Sequence, residues 1–158
     1  MEQIIDRYWP IWVTDVTPGI AHNPASAGVI SREVITALAK RGAAPLSAEI
    51  MVKPGLLSGP KATRHSNKGD APAEQEWLSL PKSLRAPMAI LKDERTAELI
   101  YRLKEVDGSL HLALDLGYKR KSNRRLINMV VSAYRPVLSE LLGRIANGVL
   151  TRVFRKLG

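Results

Sequence analysis

The chain has no cysteine, one phenylalanine and only three histidines among its 158 residues. Without thiols it can build neither a disulfide framework nor a thiolate nucleophile, and Cys-ligated zinc and iron–sulfur sites are excluded. His22, His65 and His111 stand far apart and form no H-x-H or H-E-x-x-H pair, so no metal site and no cofactor is expected. No uninterrupted apolar run approaches the roughly 20 residues that a bilayer-spanning helix needs. The first ten residues, MEQIIDRYWP, begin acidic and mixed instead of basic then apolar, so neither a signal peptide nor a membrane span is expected. A hydrophobic fraction of 45% and a charged fraction of 25% are those of an ordinary globular protein and argue against disorder throughout. The length suits one domain spanning residues 1–158, with an N-terminal helical and loop portion over 1–58 and the main body over 59–158.

The last quarter also lacks negative charge. Residues 1–116 carry 14 Lys and Arg against 14 Asp and Glu, whereas residues 117–158 carry 10 against Glu140 alone. The whole net charge of +9 therefore resides at that end. Its densest cluster is Lys119, Arg120, Lys121, Arg124 and Arg125. Such a run can bind backbone phosphates, which gives affinity without sequence information. The plainer alternative is a solvated hairpin loop, but the one-sidedness of the charge favours a polyanionic partner, nucleic acid foremost.

Periodicity predicts an α+β fold. Tyr8 to Val13, aromatic and apolar around Pro10, reads as an edge strand or packed arm with little helix. Residues 14–28 are rich in Pro, Gly, Ser and Asn and read as a loop. Ser31 as N-cap, the stripe Val34, Ile35 and Leu38, and the stop at Gly42 predict a helix over 31–41. A short strand at Glu49 to Val52 comes next. Later, Asp70 and Pro72 suit the start of a short helix that turns Trp77 and Leu80 to a core. The second half reads as sheet, with strands at Met88 to Leu91 and Leu99 to Leu103. Leu110, Leu112, Leu114 and Leu116 alternate strictly with His111, Ala113 and Asp115, so one face should be core and the other, with Ala113 and Asp115, open. A fourth strand over Ile127 to Tyr134 would put Asn128 and Ser132 on the same face. Val137, Leu138, Leu141, Leu142 and Ile145 repeat at helical spacing before Asn147-Gly148, and Val149 to Phe154 suits a last strand. The expected order is N-terminal helices, then a twisted antiparallel sheet with a helix between its last strands.

The stretch that organises the chain runs from Gly59: GPKATRHSNKGDAPAEQEWLSLPKSLRAPMAIL. Arg64, His65 and Lys68 cluster in a turn-rich segment without apolar periodicity. An imidazole titrates near neutral pH, and flanking cations can hold a phosphate beside it. An exposed histidine among chance neighbours is the plainer reading. His111, set among leucines in a strand, ranks below His65 as a catalyst.

The order RH..K, then WLSLPKSLRAPMAILKD, resembles the C-terminal region of Mu-type phage head-morphogenesis proteins, which is similar to the barnase-, EndoU-, colicin- and RelE-like ribonuclease toxins. The resemblance implies metal-independent RNA cleavage by attack of the ribose 2′-OH. It matches His65 and Lys68 to the family's loop residues, and Asn128, Ser132 and Tyr134 to its N-x-V/V-x-S/T strand pattern. Hydrogen bonding to a phosphate or base would be the strand's role, whereas contact with water alone is the ordinary alternative. RNA is the implied substrate. An acidic immunity or antitoxin protein and phage-particle proteins are the implied partners, and the bacterial cytoplasm or a virion the implied setting. A catalytically inactive nucleic-acid-binding module, or a structural phage protein on the same fold, stands as the alternative.

Overall fold

Ile5, Trp9, Val13 and Val16 recur at helical spacing, and the first element is a helix, α1 (Glu2–Val16), that buries these four. The expectation of an arm or edge strand at Tyr8 to Val13 is thereby corrected. Pro10 obscured the pattern. It lies on the exposed side of the helix, where the loss of one internal hydrogen bond faces solvent instead of core. The computed structural model describes residues 2–19, 23–58, 71–104, 108–119 and 126–156.

The expected loop over 14–28 also gives way at its end, where β1 (Ala25–Val29) forms the edge of the sheet. Helix α2 (Arg32–Lys40) matches its sequence signals: the Ser31 hydroxyl accepts from the Val34 N–H at 3.3 Å, and Gly42 takes the positive φ of 69° that such a stop requires. Then come β2 (Glu49–Val52) and a single 3₁₀ turn (Pro54–Leu56). Helix α3 (Glu74–Leu78) starts from Ala73, whose N–H donates to Glu76 Oε1 at 2.9 Å. The expected cap, Asp70, is outside the described residues. Pro81 does not end the helical stretch; it sits in the first turn of α4 (Leu80–Arg85), where its missing N–H costs nothing. The remaining elements are β3 (Ala89–Asp93), β4 (Leu99–Arg102), β5 (His111–Lys119), β6 (Leu126–Tyr134), α5 (Leu138–Ala146) and β7 (Leu150–Arg155).

All seven strands join one sheet in the order β1-β2-β6-β5-β4-β3-β7, a mixed α+β arrangement with α5 between the last two strands of the chain. The pair β2–β6 is parallel and the others are antiparallel. The main core lies between one sheet face and α1 to α4, with Trp9, Leu38, Leu80, Leu112 and Leu114 fully buried in it. The Trp9 indole N–H donates to the Trp77 carbonyl at 2.6 Å and so ties α1 to α3 inside that core. On the other face α5 lays Leu141 and Ile145 over Leu91, Ile100, Ala113 and Leu150. Ala113 is therefore 4% exposed. The expectation that its face is open is corrected, because the helix between the last strands folds back over it. Among the described residues no helix is long and apolar enough to cross a membrane.

Candidate nucleic-acid interface

Strands β5 and β6 pair outward as far as Lys119 opposite Leu126. The six residues joining these paired ends include Arg120, Lys121, Arg124 and Arg125. In the sequence the basic run thus falls between the last paired residues of the sheet's central antiparallel pair. Beside it the Lys53 ammonium stands 4.1 Å from the centroid of the Tyr118 ring, a cation–π contact at the same end. The approach to the run is bent. Leu116 and Gly117 together oppose Asn128, and the Asp115 carboxylate accepts from the Gly117 N–H at 2.9 Å. A bulge of this kind adds twist and re-aims the strand beyond it. Arg120, Lys121, Arg124 and Arg125 themselves, with Arg64, His65 and Lys68, lie outside the described residues, and Lys119 is described in its backbone alone.

Asn128 and Ser132 are not brought together. Leu114 pairs with Val130 while the adjacent Ala113 pairs with Ser132, so Val131 is an inserted residue. Beyond it the alternation is out of phase, and Val130 and Ala133 both face the main core while Val131 and Tyr134 face the α5 side. The expectation that Asn128 and Ser132 point the same way is corrected by this bulge. Asn128 is 1% exposed, and its amide donates to the carbonyls of Ser47 at 2.6 Å and Glu49 at 2.9 Å. It clamps the start of β2 against β6.

Ser132 belongs to the other face, across from Ala113 and next to a polar row that crosses three strands, Arg102 opposite His111 opposite Tyr134. The Arg102 guanidinium lies 3.0 Å from His111 Nε2. A guanidinium can only donate, so Nε2 accepts and the imidazole proton sits on Nδ1. Tyr134 meets the imidazole edge-on at a centroid distance of 5.8 Å. From α5, Arg144 donates to Asp93 at 2.7 Å, and the same carboxylate accepts the backbone N–H groups of Arg95 and Thr96. Arg102 and Arg144 were not singled out in the sequence. The register of alternating strands was the signal that could have placed Arg102 beside His111.

Burial, reinforced by Arg102 and then Arg144, lowers the His111 pKa to about 4. The consequence for stability is a loss in acid. The unfolded chain takes up this proton near pH 6.5 and the folded chain only near pH 4, so the contribution is complete above the upper value and falls away toward the lower one. Roughly 3 kcal/mol should be lost across that window. In His111→Gln the fall between those pH values should be visibly shallower in urea unfolding, and an identical pH profile would contradict the assignment.

Comparison of the chain with protein-family models, curated proteins and solved structures finds no match.

Proposed function

We propose that the chain binds RNA along the β5–β6 hairpin and cleaves it without a metal ion, with His65 exchanging protons and Lys68 countering the charge that builds on phosphorus. The observation that supports the binding half is the pairing of Lys119 with Leu126, between which the sequence carries Arg120, Lys121, Arg124 and Arg125. The cleavage half is supported by the resemblance over residues 60–93. In such a reaction a base takes the 2′-OH proton, the oxygen attacks phosphorus, an acid protonates the departing 5′ oxygen, and a cation steadies the oxyanion. The setting that accompanies this reading is a toxin-like or phage-associated protein acting in bacteria, with an acidic inhibitor as partner.

A binding-only module is the second reading, and Asn128 favours it. One of the four residues expected to carry catalysis is buried, with its amide N–H groups engaged in holding β2.

Binding is tested by salt dependence. Each phosphate neutralised on a single strand should contribute about −0.7 to the slope of log K against log salt. Replacing Lys119, Arg120, Lys121, Arg124 and Arg125 together with Gln should flatten that slope by about 2 to 3.5. An unchanged slope would remove the hairpin from the RNA-binding surface.

A further inference from the structure

We infer that the chain carries a second binding site, a groove on the helical side of the sheet suited to a small zwitterion with a large apolar or aromatic body, the chemistry of a free hydrophobic amino acid. The groove encloses about 370 Å³, within the range of small-molecule sites. Its floor is one row across three strands, Phe154 on β7, Ile90 on β3 and Tyr101 on β4, set side by side by their register. Val34 of α2 forms one wall, and Leu84 and Pro87 at the end of α4 form another. The body of a ligand would therefore meet apolar and aromatic surface.

Tyr101 supplies the inner polar contact. It is 1% exposed, and its hydroxyl has no hydrogen-bond partner among the described residues. Burial raises its pKa, so the phenol remains protonated. The groove that Tyr101 lines is where a partner can reach it.

The mouth decides the head group. Arg85 is engaged by Asp6 and Glu2. Lys156 and Glu33 also line the groove, both are exposed, and neither has an ion pair among the described residues. The first N–H groups of α2, a helix of nine residues, precede its internal hydrogen bonds and add partial positive charge. One unpaired charge of each sign suits a head carrying both. A phosphate would confront Glu33, and a simple amine would leave Lys156 unanswered.

L-Tryptophan is the probe. Titrated into the full ¹⁵N-labelled chain, it should shift the amide signals of Val34, Tyr101 and Phe154 saturably, with a dissociation constant on the order of 0.1 to 1 mM. Tyr101→Phe keeps the ring and removes only the hydroxyl, and should weaken binding about 3- to 10-fold. Lys156→Gln and Glu33→Gln, at exposed positions that leave the fold intact, should each weaken it about 2- to 5-fold. Tryptamine and 3-indolepropionate each lack one charge of the head and should bind more weakly by a similar factor. No saturable shift up to about 10 mM, undiminished binding to Tyr101→Phe, or equal binding of either analogue would overturn the proposal.

Discussion

In an RNA-cleavage assay with excess EDTA, the His65→Ala protein is expected to react about 10²- to 10⁴-fold more slowly than the parent chain, the usual yield of positioned proton transfer. Lys68→Ala should also be slow, because the developing oxyanion loses its neutralising charge. The products should carry 2′,3′-cyclic phosphate ends, and a 2′-deoxy strand should resist. His111→Gln is the internal contrast. Its imidazole is buried and its Nε2 is engaged by Arg102, so the substitution should alter stability and leave the rate per folded molecule close to that of the parent. Cleavage of DNA at a similar rate, abolition by EDTA, or full activity in His65→Ala would each end the mechanism. A folded parent that cleaves no RNA would transfer the proposal to the binding-only reading.

Asn128→Asp is expected to destabilise the fold by about 3–5 kcal/mol, the cost of an uncompensated buried charge. The native amide donates to two carbonyl oxygens. A carboxylate in its place would direct negative charge at both acceptors and could donate to neither. Asn128→Ala should cost less, about 1–3 kcal/mol, since it leaves the carbonyls unpaired without adding charge. Denaturant midpoints at neutral pH give both values. Were Asn128 a catalytic group with no structural duty, the Asp variant would unfold at the parent midpoint and lose only activity. That result would refute the clamp.

Local rules made some elements plain and concealed others. Strict alternation along Leu110 to Leu116 identified β5, and Ser31 with Gly42 marked both ends of α2, because both signals lie within a few residues of what they control. α1 escaped because Pro10 interrupts an otherwise helical series, and tertiary burial of Trp9 and Val13 outweighs that local penalty. β1 is made of Ala25, Ser26, Ala27, Gly28 and Val29, with a single β-branched side chain to announce it; its pairing with β2 supplies what propensity does not. The inserted Val131 leaves no mark in composition, yet it sends Asn128 and Ser132 to opposite faces. The role of Asn128 was equally hidden, since the carbonyls it holds lie 79 and 81 residues earlier in the chain.

The parallel pair β2–β6 has a consequence for how the chain is made and for where it can be cut. β2 ends at Val52, and the strand it must lie beside does not begin until Leu126. During synthesis the β1–β2 pair emerges about 70 residues before its neighbour, and the inner edge of β2 stays bare until β6 has left the ribosome. Such a distant closure slows folding and lengthens the time in which that edge can meet another copy. A fragment beginning at Gly59 would have the reverse defect: β6 would keep β5 but lose β2, and would offer an open edge for strand-to-strand aggregation. The first third of the chain is thus the guard rail of the sheet it precedes.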